Sequence, residues 1–134
     1  MQANTQNQRC RVAVLISGSG SNLQAIIDSA SSSYQICAVI SNRPDARGLA
    51  RAADADLDRV TLDHKLYPTR EAFDEVLANT LEGYQPDLIV LAGFMRILSE
   101  GFVKKFKGKL INIHPSLLPK YPGLNTHQRA LDAG

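Results

Sequence analysis

Arg11-Val-Ala-Val-Leu-Ile-Ser17, running directly into Gly18-Ser-Gly-Ser-Asn22, is the stretch that decides the fold. Its first part is apolar without alternation, as a strand buried on both faces must be, and such strands belong to parallel sheets. Its second part is a glycine-rich turn. Past the turn, Leu23, Ile26, Ile27 and Ala30 recur at helical spacing, which predicts a helix over Asn22 to Ala30. The same alternation continues outward. Ile36 to Ile40 reads as a second strand closed by the turn-formers Ser41-Asn-Arg-Pro-Asp45, Gly48 to Ala55 as an Ala-rich helix, and Arg59 to Leu62 as a brief third strand. From Thr69 to Leu81, Phe73, Val76, Leu77 and Leu81 form an apolar stripe while Arg70, Glu71, Asp74 and Glu75 are polar, the pattern of an amphipathic helix. Leu88 to Ala92 is a fourth strand ending on Gly93. Ser99 caps a helix carrying Phe102, Val103 and Phe106, Leu110 to His114 is a fifth strand stopped by Pro115, and Thr126 to Gly134 is a short helix capped by Thr126. Strands alternating with helices imply right-handed crossovers, hence an open, mostly parallel α/β sheet of the Rossmann type with helices on both faces.

Composition agrees with one such domain. The 134 residues suit a single core, and size scaling lets about two-thirds of the chain's surface be buried. With 44% hydrophobic and 21% charged residues the chain has an ordinary globular composition, and a net charge of +2 leaves no footprint for nucleic acid or acidic lipid. Cys10 and Cys37 have no C-x-x-C spacing, so they are expected to be buried free thiols in a reducing compartment. Residues 1–10 are expected to be a flexible tail ahead of a domain over 11–134. The tail is Gln/Asn-rich without the apolar centre of a secretory signal, and no run approaches the length of a membrane span, so the expected location is cytoplasmic.

In such sheets ligands bind outside the carboxyl ends of the strands, near the point where strand order reverses. Three segments fall there. Gly18-Ser-Gly-Ser-Asn22 offers glycines for close backbone approach and a helix N-terminus that favours an anion such as phosphate. It begins a G-x-G-x-x-G, but position 23 is Leu and Ser41-Asn42 replace the acidic residue that a nicotinamide site needs; no G-K-[ST] of a P-loop follows. Gly93-Phe-Met-Arg-Ile-Leu98 combines apolar residues with one guanidinium, which suits a flat aromatic group bearing an anionic or carbonyl edge; the competing reading is ordinary core beneath a loop. Asn112-Ile-His114-Pro115 puts an amide and an imidazole on one face of a strand end, one able to donate to an oxyanion and the other to supply a proton. Its bland alternative is a satisfied strand-end histidine. His64 and His127 have no partners at metal-ligand spacing, and no nucleophile elbow precedes a serine. Lys104, Lys105, Lys107 and Lys109 read as a solvated helix end.

Taken in order, Val14-Leu-Ile-Ser-Gly-Ser-Gly-Ser-Asn-Leu-Gln24, Leu91-Ala-Gly-Phe-Met-Arg-Ile-Leu98 and Ile111-Asn-Ile-His-Pro-Ser-Leu-Leu-Pro-Lys-Tyr-Pro-Gly123 closely resemble the phosphoribosylglycinamide formyltransferases. These are folate-dependent enzymes of purine synthesis, and the resemblance runs from Arg11 onward. It implies that Gly20, Ser21 and Asn22 hold the phosphate of glycinamide ribonucleotide. It implies further that Met95, Arg96, Ile97 and Leu98, with Arg70 and Asn112, contact 10-formyltetrahydrofolate. Asn112 and His114 would be the catalytic pair: the substrate amine attacks the formyl carbon directly, Asn112 holds the formyl oxygen, and protonated His114 stabilises the oxyanion. Neither a metal nor a covalent enzyme intermediate is expected. The family's catalytic Asp, its second set of ligand contacts and its final strands match no residue of this chain. The resemblance therefore implies a C-terminally incomplete domain, weak or inactive by itself, whose exposed sheet edge favours self-association. Two rival readings are a formyltetrahydrofolate hydrolase and a non-catalytic nucleotide- or folate-binding fragment.

Overall fold

The chain is seen in a computed structural model that describes residues 10–29 and 34–113. Five strands, β1 (Cys10–Ile16), β2 (Tyr34–Ser41), β3 (Arg59–Thr61), β4 (Leu88–Ala92) and β5 (Leu110–Ile113), form one sheet in the order β3-β2-β1-β4-β5. Every pairing is parallel. The helices are α1 (Ser21–Asp28), α2 (Gly48–Asp54), α3 (Arg70–Tyr84) and α4 (Glu100–Lys105), with a 3-10 turn at His64–Leu66. The chain winds outward from β1 through β2 to β3, then returns to the other side of β1 to form β4 and β5. The strand order thus reverses between β1 and β4.

The unbroken apolar runs have the reason expected of them, since β1, β2 and β4 pack on both faces. Ala13, Leu15, Ile40 and Ile89 meet Phe73, Leu77 and Leu81 of α3 and Phe102 of α4 on one face. Val12, Val14, Ile16, Val39 and Val90 meet Leu23 of α1 and Ala52 of α2 on the other. Burying each such Val, Leu, Ile or Phe side chain contributes about 1.5–3 kcal/mol. Past α4, Lys104, Lys105, Lys107 and Lys109 are exposed, with Lys105 paired to Glu82 at 3.0 Å.

Several element ends differ from the sequence expectation. Cys10, expected in the tail, opens β1, and Ser17, read as its last residue, is buried just beyond it. β2 is longer than expected at both ends because it follows β1 along its whole length. A bulge between Val12 and Ala13 leaves Cys37 without a register partner. Both cysteines are free thiols but only half-buried. α3 continues a turn past Leu81 to Tyr84, where Gln85 takes a left-handed conformation at φ 52°. The Arg11 guanidinium donates to the Tyr84 carbonyl at 2.7 Å and satisfies that helix end from β1. At its start, Thr69 Oγ1 accepts from the Ala72 N–H at 3.0 Å, the capping role its side chain suits. Asp74 is not on a solvent face as its neighbours suggested; it is 3% exposed. Ala30, His114, Pro115, the Thr126–Gly134 helix with His127, and the rest of the expected tail lie outside the described residues. β5 forms one edge of the sheet among the described residues, and an apolar groove of about 450 Å³ lies beside it, lined by Val12, Tyr34, Val90 and Ile113.

Candidate active site

The loops after β1 and β4 leave the sheet side by side at the reversal point, where an α/β sheet opens a crevice. They are held by different means. In the first, Gly20 has φ +80°, and a Cβ there would lie 2.5 Å from the Cα of Gly48. The glycine was expected to let a ligand approach; its first use is to let the start of α2 approach. The Gly48 N–H donates to the Gly18 carbonyl at 3.0 Å, and Arg51 Nε donates to the Ser19 carbonyl at 2.8 Å, so α2 buttresses the turn twice. Gly20 precedes α1 without any side chain capping that helix, and no acidic residue occupies its first turn. The helix start therefore keeps its partial positive charge for an anion. Ser21 is exposed there and Asn22 is buried. Next to the turn lies a pocket of about 240 Å³ lined by Ser17, Gly18, Ser19, Arg43 and Arg47 among others.

The loop after β4 is apolar yet turned outward. Met95 is 79% exposed and Ile97 72% exposed, while Phe94 and Leu98 pack against the core. The segment thus divides, and the ordinary-core reading holds for only half of it. Gly93 has φ +76° with open space on its Cβ side. Arg96 lays its guanidinium over the Phe73 ring, 4.6 Å from the centroid, a cation–π contact that fixes the charge against α3. Arg70 is exposed at the first position of α3, one turn before Phe73. Exposed apolar side chains around a fixed guanidinium and an open glycine suit a flat group with a carbonyl or anionic edge.

Sequence reading missed the groups that join these loops. Ser17 Oγ accepts the Met95 N–H at 2.7 Å and donates to Asn42 Oδ1 at 2.6 Å, so one buried hydroxyl ties the ends of β1, β2 and β4 together. His64, which has no partner at metal-ligand spacing in the sequence, places Nδ1 2.9 Å from the Asn42 carbonyl, the contact of an Nδ1–H donor. On the far side, Asp74 Oδ2 accepts the Ser99 N–H at 2.6 Å. A polar residue at the end of an apolar strand was the available signal for Ser17.

Asn112 is exposed near the end of β5, beside Leu91 of β4 in the register. Gly20 to Asn22, Met95 to Leu98 and Asn112 thus share the carboxyl edge of three neighbouring strands, and Arg70 opens α3 one turn before Phe73, the ring beneath Arg96. The geometry of Asn112 with His114 lies outside the described residues. Among the described residues, no three His, Cys, Asp or Glu side chains gather as metal ligands, and no helix is long and apolar enough to cross a membrane.

A formyl transferase family model matches residues 10–134. The crystal structure of phosphoribosylglycinamide formyltransferase from Brucella melitensis is 44% identical, with a TM-score of 0.77, over 95% of this chain and 68% of that one. The chain belongs to the phosphoribosylglycinamide formyltransferase family. The enzyme of that name from Escherichia coli K12 is 53% identical over 126 residues, which are 92% of this chain and 59% of that protein. The structure of the Coxiella burnetii formyltransferase, solved in complex with CHES, is also 53% identical, with a TM-score of 0.78 over 95% of this chain and 61% of that one. The chain thus spans about three-fifths of the length of these last two formyltransferases. The parallel α/β fold is a family feature.

Proposed function

We propose that this chain carries the phosphate loop, the folate wall and part of the catalytic pair of a glycinamide ribonucleotide transformylase acting in cytoplasmic purine synthesis. The adjacency of the two strand-end loops, joined through Ser17, is the observation that carries the reading. Gly20, Ser21 and Asn22 bind the ribonucleotide phosphate through the free N–H groups and positive end of α1. Met95, Arg96, Ile97 and Leu98, with Arg70, bind the pterin and its edge groups. Asn112 donates its amide to the formyl oxygen, and His114, as imidazolium, stabilises the oxyanion formed when the substrate amine adds to the formyl carbon of 10-formyltetrahydrofolate. A carboxylate partner would orient His114 and favour its charged form, and turnover would be weak or absent without one. The edge along β5 adds a tendency to self-associate.

The test is absorbance-monitored loss of formyl from 10-formylfolate, with and without glycinamide ribonucleotide. Any turnover should require the ribonucleotide and vanish in His114→Ala while ribonucleotide binding persists. Formyl loss at an equal rate without the ribonucleotide would instead make the chain a hydrolase, and ligand-induced thermal shifts without turnover would mark a binding fragment.

A further inference from the structure

Building on the reading of 93–99 as the folate wall, we propose that Asp74 is the positioning residue that sets the shape of this loop from α3. The side chain is 3% exposed, on the stretch of α3 that also buries Phe73, Leu77, Ala78 and Leu81, and it lines a surface cavity with Ala78, Ser99 and Phe102. Keeping a carboxylate there costs desolvation. Its one hydrogen bond in the described structure goes outside its own helix, from the Ser99 N–H to Oδ2 at 2.6 Å, a charge-assisted length; Oδ1 has no partner among the described residues. What the carboxylate stabilises is therefore the place where the loop re-enters secondary structure at α4. The adjacent residue, Phe73, holds Arg96 by its ring. Consecutive residues of α3 thus grip the loop at Arg96 and at Ser99, and Ser17 grips its other end at the Met95 N–H. Met95 and Ile97 stand exposed between these grips, with little packing of their own to fix them. Their position is inherited from these grips and from Phe94 and Leu98, which pack against the core, and Asp74 is the buried side chain that holds the Ser99 end.

Hydrogen exchange of the ligand-free full chain tests this directly, followed by titration with 10-formylfolate and, separately, inorganic phosphate. Asp74→Ala should speed exchange in 93–99 by about tenfold while leaving 18–24 unchanged, and Asp74→Asn, whose carbonyl can still accept the Ser99 N–H, should restore most of the protection. If Asp74→Ala does not fold, Asp74→Leu fills the apolar position without an acceptor and should behave as predicted for Ala. The affinity for 10-formylfolate should fall by a similar factor, with phosphate affinity unchanged. Unchanged exchange in 93–99, or equal loosening of both loops, would overturn the positioning role. A wild-type chain that binds phosphate but not 10-formylfolate, together with selective loosening in the variant, would sink the folate reading and leave the positioning role standing.

Discussion

The loops after β1 and β4 are neighbours with opposite designs. The first is set by steric contact: Gly20 lies against Gly48, and Arg51 and the Gly48 N–H tie its carbonyls to α2. The second is set by a few polar anchors, one stacked guanidinium and the inward Phe94 and Leu98, with Met95 and Ile97 turned outward. A rigid cradle of backbone N–H groups suits a small anion of fixed geometry. An apolar wall hung on anchors suits a larger, flatter ligand whose contact area depends on side-chain position. The proposed reaction would use both, and the reversal of strand order between β1 and β4 puts the two loops beside each other.

The sharpest way to break this comparison is to add a methyl group to a glycine in each loop. Gly20→Ala combines a positive φ with a 2.5 Å collision against backbone, so it should lower stability by about 2–5 kcal/mol in urea unfolding. Gly93→Ala meets open space and bears only the backbone strain, about 1–2 kcal/mol. Equal losses would mean that the first loop is not sterically set.

How much of this was legible beforehand follows from what each feature depends on. The strands were visible because burial on both faces writes itself as an uninterrupted apolar run. The Gly20 to Gly48 contact was not, because it needs two turns separated by a whole βα unit to be adjacent. Ser17, Asn42 and Met95 come together only once β2, β1 and β4 are known to be neighbours in that order. Asp74 could have been found. Its spacing to Leu77, Ala78 and Leu81 puts it on the buried stripe, but its chemistry and its polar neighbours Glu71 and Glu75 argued for solvent. Cys10 and Cys37, expected to be buried, are free thiols only half-buried, and nothing in the sequence announces the bulge beside Cys37.

A smaller effect sharpens the second loop. Phe73→Leu keeps an apolar side chain in the core but removes the ring beneath Arg96 and the edge contact with Tyr67. It should cost about 1–2 kcal/mol and weaken 10-formylfolate binding without affecting phosphate. The smallest effect concerns pH and neither loop. Burial pushes the Cys37 thiol above its ordinary value of 9.0, so the folded state holds that proton more tightly than the unfolded chain. Its contribution to stability is complete below the unfolded value and is lost as pH rises through the folded one. The thermal midpoint of the wild type should therefore decline faster above pH 9 than that of Cys37→Ala. Parallel declines would remove Cys37 from the balance.

Calorimetric titration of the chain with 10-formylfolate, alone and then with glycinamide ribonucleotide already saturating, addresses the pairing of the two loops most directly. Two adjacent and separate half-sites predict that each ligand binds at one equivalent, and that the folate affinity with the ribonucleotide present is equal to or tighter than without it. Mutual exclusion of the two ligands would contradict that account, since one pocket would then be serving both.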